Sequence, residues 1–286
     1  MQQLETTVTK GFEKELNQIG NKAANGNTKV VSAEAEVIQV KGLKHALYKP
    51  LLLQQTAIPN TVLRSSLFGI ISKGKREQVK NKMMFTCGST SITFTGELLG
   101  QDDLDVFMAS IKKIYDSGSF CANCSLYWLR KTLGLAKGKS SSDRIKASLE
   151  RLTEATIKIR TSKVYYCGHP IDYFKFDKRV QRYKLKINPD IAGLFQQGYA
   201  KVNLETRYKL KGDFAKFLHG LVASHEAPYH RPQKYSLGKL RGLCNSQDGN
   251  NSRFKASIKK VMTQFKESNI ICNWGIDGNI FWFTKT

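Results

Sequence analysis

Acidic residues are scarce: 23 Asp and Glu stand against 46 Lys and Arg, leaving a formal charge of +23 at pH 7. An excess of one sign this large attracts polyanions, nucleic acid first and an acidic membrane surface second. Long apolar runs are also missing. Leu51-Leu52-Leu53 is typical of the short ones, far below the roughly 20 residues that span a bilayer. Residues 1–20 mix Glu5, Glu13 and Glu15 with Lys10 and Lys14, which excludes a secretory signal there. A soluble, cytoplasmic protein with no membrane partner is expected. The six cysteines, Cys87, Cys121, Cys124, Cys167, Cys244 and Cys272, are irregularly spread, and a chain of this length needs no disulfide staples.

Chemistry-bearing patterns are equally thin. Cys121-Ala-Asn-Cys124 has metal-ligand spacing, and Cys167 with His169 could complete a four-ligand zinc site. The simpler expectation is a short strand or turn before a helix, with no metal or other cofactor. Gly134-Leu-Ala-Lys-Gly138-Lys139-Ser140 has three residues where a phosphate loop needs four, and it follows a helix rather than a strand. Asp102 and Asp103 are adjacent on an expected helix, so their side chains do not face each other as a catalytic pair. The five histidines, His45, His169, His219, His225 and His230, form no close pair of the kind a metal-dependent nickase uses. A non-enzyme is expected.

What is present is length for two domains and an internal repeat. Leu104, Phe107, Met108 and Ile111 mark one face of a helix, and Phe214, Phe217, Leu218 and Leu221 repeat it 110 residues later; Asp103 and Asp213 coincide. Ile92 and Phe94 have counterparts in Val202 and Leu204 at the same offset. Shorter helices follow, opened by Ser125 and Ser236 as N-caps. Arg144-Ile-Lys-Ala-Ser-Leu149 then matches Arg253-Phe-Lys-Ala-Ser-Ile258 at four of six positions. Each half ends in β-rich sequence: Thr156–Arg160 and hairpin segments from Val164 to Ile187 in the first, and two strands around Asp277-Gly278 in the second. The expected fold is α+β: two tandem winged-helix domains, each a helix-turn-helix plus a β-hairpin, related by internal duplication. Residues 1–56, with a Gly- and Asn-rich stretch at 20–29, form a flexible N-terminal arm; the domains cover 57–198 and 199–286.

In a helix-turn-helix, the last helix enters the major groove of duplex DNA with its N-terminal residues against base edges. In the first half Ile145, Leu149 and Leu152 point inward. That turns Ser141, Ser142, Arg144, Ser148 and Arg151 outward, with Lys139 and Lys146 at the flanks. In the second half Phe254, Ile258, Val261 and Phe265 point inward, leaving Asn250, Asn251, Arg253, Ser257 and Lys260 outward beside Lys255. Asn and Arg suit adenine and guanine edges. Lys163 in the first wing region, then Lys175, Lys178, Arg179 and Arg182, would add phosphate contacts.

Three segments, Leu63-Arg-Ser-Ser-Leu-Phe68, Ile92-Thr-Phe-Thr-Gly96 and Leu99-Gly-Gln-Asp-Asp-Leu-Asp-Val-Phe107, resemble in this order the TrfA-type plasmid replication initiators, over about residues 58–160. The second half is similar mainly in element order. The resemblance implies an iteron-binding initiator of theta-type plasmid replication that opens an origin and recruits a host replication initiator and the replicative helicase. Self-association into a homodimer stays open. The alternatives are a winged-helix transcriptional repressor, including one of its own gene, and, less favoured, a DNA-nicking enzyme.

Overall fold

The apolar stripes become two helical layers, each backed by a small sheet, in a computed structural model that describes residues 43, 47, 51–71, 76–180 and 182–285. Residues 40–286 make one compact unit. Most of the expected arm falls outside the described residues, but its C-terminal limit needs correction. Leu43 and Leu47 are buried in the first core, and Gln55–Pro59 is already a strand, β1.

A one-turn helix α1 (Asn60–Leu63) and a short strand β2 (Phe68–Gly69) follow. Strands β3 (Gln78–Met84) and β4 (Ser91–Glu97) form an antiparallel hairpin through the turn at Gly88. β5 (Leu99–Gly100) pairs parallel with β2 and leads into the long helix α2 (Gln101–Ser117). Strand β6 (Cys121–Ser125) precedes α3 (Leu126–Thr132), as the cysteine spacing allowed, and α4 (Lys139–Glu154) follows the Gly-rich turn. Then come β7 (Thr156–Arg160), β8 (Tyr165–Gly168), β9 (Tyr173–Asp177) and β10 (Arg182–Lys186). A connecting stretch holds α5 (Ala192–Gln196), β11 (Tyr199–Asn203) and α6 (Leu204–Lys209). The second half is α7 (Asp213–Ala223), β12 (Gln233–Ser236), α8 (Leu237–Cys244), α9 (Asn251–Glu267), β13 (Asn273–Asp277) and β14 (Ile280–Thr284).

Two sheets have the same order: β6-β10-β9 in the first half and β12-β14-β13 in the second. In each, the first strand runs straight into a helix capped by a serine. Ser125 Oγ accepts from Trp128 N at 3.0 Å, and Ser236 Oγ from Lys239 N at 3.2 Å. Each half therefore runs helix, strand, helix, helix, hairpin. The last hairpin turns at Gly278, whose φ of 58° is a left-handed conformation that glycine adopts without strain.

The halves differ in what surrounds this unit. The first adds a four-stranded sheet, β3-β4-β7-β8, so the first hairpin after α4 extends that sheet and only the second, β9–β10, corresponds to β13–β14. The expected match of Ile92 and Phe94 with Val202 and Leu204 fails for the same reason. β4 is an inner strand of the large sheet, whereas β11 pairs with β1 and Leu204 opens α6. One core spans Leu43 to Leu204, the other Leu210 to Phe283. No helix among the described residues is long and apolar enough to cross a membrane.

Candidate nucleic-acid interface

Helix α4 buries Ile145, Leu149 and Leu152 against the first core, which fixes what its other faces can meet. Lys139, Arg144 and Lys146 are exposed, and Ser141 and Ser142 are half-buried. Ser142 Oγ donates to Gly138 O at 3.1 Å, tying down the first turn. Arg144 keeps more than half of its side chain in solvent while one guanidinium nitrogen sits 2.8 Å from Asp102 Oδ2.

Two expected DNA-facing residues of this helix point elsewhere. Ser148 is 2 % exposed and donates to Asp103 Oδ1 at 2.7 Å. Arg151 donates to the same oxygen through Nε at 3.0 Å and through its terminal nitrogen at 2.7 Å. The cause is a buried carboxylate waiting on α2: Asp103 is fully buried, and its other oxygen accepts from Arg76 at 2.9 Å and from Gly100 N at 2.8 Å. A carboxylate stripped of water is stable only when charge and hydrogen bonds replace that water. Arg151 and Ser148 supply part of that replacement.

Helix α9 is better placed at its N-terminus. Asn250 accepts from Arg253 N at 3.0 Å, so its side chain caps the helix rather than standing free for a base. Arg253 is 72 % exposed, with Nε 3.7 Å from Asp248 Oδ2. Asn251 and Lys260 are exposed, Lys255 and Ser257 half-buried, and Ser257 Oγ donates to Arg253 O at 3.1 Å. The equivalent arginines of the two helices, Arg144 and Arg253, are thus both solvent-facing and both steadied by an aspartate outside their own helix.

Asp102 and Asp103 were legible as helix residues, but the aspartates of α2 were not legible as the joint between the halves. Asp105 Oδ1 accepts from Arg207 Nε at 2.6 Å, and its Oδ2 lies 2.5 Å from Lys216 Nζ. Arg207 is fully buried and also donates to Gln101 Oε1 at 2.8 Å and Lys216 O at 2.7 Å. Lys216 of α7 also reaches Asp102 at 3.8 Å. Burial pushes the Asp102 carboxyl up, but the Arg144 hydrogen bond and charge, with Lys216 and Arg76 behind them, outweigh it and hold the group below its ordinary range. Arg207 and Lys216 lie more than 100 residues from their partners, so sequence spacing carries no sign of them. The available signal was composition: three acids within four positions of a chain this basic.

Lys163 sits at the exposed turn between β7 and β8, on the extension of the large sheet, whereas the hairpin equivalent to β13–β14 is β9–β10. The β9–β10 tip carries Lys178 and Arg179, the latter 91 % exposed in its side chain. Cys121 and Cys124, three apart on β6, fall on opposite faces of a strand. Among the described residues no three His, Cys, Asp or Glu side chains are grouped to hold a metal ion.

The sequence profile of the family described as TrfA protein matches residues 20–281. No curated protein sequence matches the chain. Among solved structures, the Pi initiator protein in complex with iteron DNA is similar at a TM-score of 0.50 and 13 % identity, covering 65 % of this chain and 91 % of that one. Domains 2 and 3 of RctB give 0.49 and 9 %, covering 76 % of this chain and 94 % of that one. The likeness to the Pi initiator is one of fold: a mixed α and β architecture shared with a replication initiator.

Proposed function

Since the chain belongs to the TrfA protein family, we propose that it is a plasmid replication initiator that binds repeated duplex DNA sites at an origin and promotes opening there without catalysing a reaction. The observation that carries this reading is the pair of sheets with identical order, β6-β10-β9 and β12-β14-β13, each completing a serine-capped helix and a basic helix. That repeated unit is the winged helix-turn-helix. The division of the core supports a first domain ending near Leu204 and a second beginning near Leu210.

In each unit the last helix, α4 or α9, reads the major groove. Arg144 and Arg253 are the base-reading candidates, because each presents a guanidinium fork suited to guanine and is oriented by Asp102 or Asp248. Lys139, Ser141, Ser142 and Lys146 on α4, and Asn251, Lys255, Ser257 and Lys260 on α9, supply the backbone contacts that fix register. A soluble cytoplasmic location, with recruitment of a host initiator and the replicative helicase, belongs to the same proposal. Selection of bound duplexes from a random library at near-physiological salt tests it. One long motif spanning two major grooves about a helical turn apart, repeated in tandem on a plasmid, is the expected result. Affinity that vanishes with salt and enriches no sequence would overturn it.

A further inference from the structure

The shared order of the two three-stranded sheets lets their outer faces be compared residue by residue. In the first sheet Asn123, Lys184 and Lys175 stand in one row across β6, β10 and β9. All three are exposed, while Ala122, Cys124, Tyr183 and Leu185 beside them point into the core. The equivalent row in the second sheet is Lys234, Trp282 and Gly275. There Trp282 folds over Gly275, so closely that a Cβ on Gly275 would lie 2.7 Å from the indole, and its Nε1 donates to Asp277 Oδ2 at 2.8 Å. A sheet of this order therefore forms without facing lysines, and the charge on the first sheet is no requirement of the fold.

That charge is costly where it stands. Lys184 and Lys175 are direct cross-strand partners, a like-charge arrangement that weakens a sheet. Neither has an acidic partner among the described residues. Asp177, on the same face, faces Arg182, and its Oδ1 accepts from Arg179 N at 2.8 Å; Asp172 is taken by Lys186 at 3.3 Å. The face is also concave, a groove of about 610 Å³ lined by Asn123, Lys175, Asp177, Val180, Arg182 and Lys184. Val180 is its one apolar side chain, too little to anchor in a lipid surface.

We propose that this outer face is a second binding surface for the phosphate backbone of duplex DNA, taken up by the DNA that flanks the segment read by α4 and α9. This rests on the DNA-binding reading above. A phosphate backbone relieves the Lys175–Lys184 repulsion and releases counterions as it does so, and Asn123 adds a carboxamide donor. The second sheet presents one lysine, Lys234, beside Trp282 and Asp277 in place of a facing lysine pair, so the two halves grip DNA unequally.

The test uses the full chain with Lys175→Gln and Lys184→Gln together, on a duplex containing only the selected motif and on one extended by a helical turn at each end. On the longer duplex the slope of log affinity against log salt should fall by about 1.8, so that the affinity lost between about 50 and about 200 mM salt shrinks about tenfold. The short duplex should lose clearly less slope than the long one, and the melting temperature should stay level or rise. An unchanged slope on the longer duplex overturns the proposal, as does a loss of binding to phosphatidylserine vesicles without any loss on DNA. If the parent enriches no motif but the variant still loses slope on long random duplex, the base-reading assignment fails while the sheet surface stands.

Discussion

Asp103→Asn tests the claim that Arg151 and Ser148 serve the protein rather than DNA. The substitution keeps the shape of the side chain but removes its charge and puts an NH2 group where only acceptors fit. Asp103 is fully buried, while Arg76 and Arg151, whose side chains are 19 % and 15 % exposed, both depend on it. Removing one partner of a buried ion pair costs about 3–5 kcal/mol. Because both guanidinium groups keep some access to water, the lower end applies, about 3 kcal/mol. For a chain of this size that lowers the melting temperature by about 6–12 °C. Thermal and urea unfolding followed by circular dichroism would measure it, with DNA affinity read well below the transition. Arg151→Ala should lose about 2 kcal/mol of stability by the same logic, with base preference intact. An Asp103→Asn variant within about 0.5 kcal/mol of the parent, or an Arg151→Ala variant that melts normally but loses base preference, would refute the assignment.

Arg144→Ala and Arg253→Ala should each cost about 1–3 kcal/mol on the selected motif and much less on random duplex, read by titration on both DNAs; equal losses would make them phosphate contacts. Asn250→Ala removes the cap of α9 and should cost about 1 kcal/mol of stability, with no new tolerance at any base of the motif. Stability should also fall as pH drops below the ordinary histidine value. Burial brings His219 down to about 3, with Arg207 and Lys285 adding to it, and brings His225 to about 3, with Arg64, Lys285 and Lys239 adding. Both stay neutral in the fold while the unfolded chain takes up protons. Their contribution is therefore complete above about 6.5 and is lost from there down towards about 3, at up to about 1.4 kcal/mol per pH unit for each. His219→Gln should flatten the urea midpoint against pH over this window, and an unchanged profile would contradict the neutral buried state.

The helices and their inward faces were legible because a 3.6-residue repeat of large apolar side chains has few other physical readings. The serine caps and the Asp277-Gly278 hairpin were legible because they depend only on neighbouring residues. What escaped was decided by distant partners. Ser148 lies three residues after Ile145 and four before Leu152, so helical spacing alone puts it on the inward stripe; its polarity suggested the opposite. Arg151 is on the flank, where the presence of Asp103 48 positions earlier decides its direction. The two hairpins after α4 are hard to tell apart because β7, β9 and β10 are similar short strands with basic residues, and only pairing with β4 or with β6 separates them. Arg207, buried beside Asp105, shows no local sign of burial at all.

The pairing of β1 with β11 also bears on how the chain is made. Gln55 meets Asn203 and Pro59 meets Tyr199, so the first core cannot close while the protein is being synthesised until β11 has left the ribosome. The second core is continuous from Leu210 to Phe283 and needs no such wait. Nascent chains of the first half must therefore hold the unpaired edge of β1 and its apolar flank, Ala57 and Ile58, open through most of translation. Exposed strand edges of this kind are where association between growing chains begins, which makes the long first half the stage of synthesis at which a slow or paused ribosome is most costly to yield.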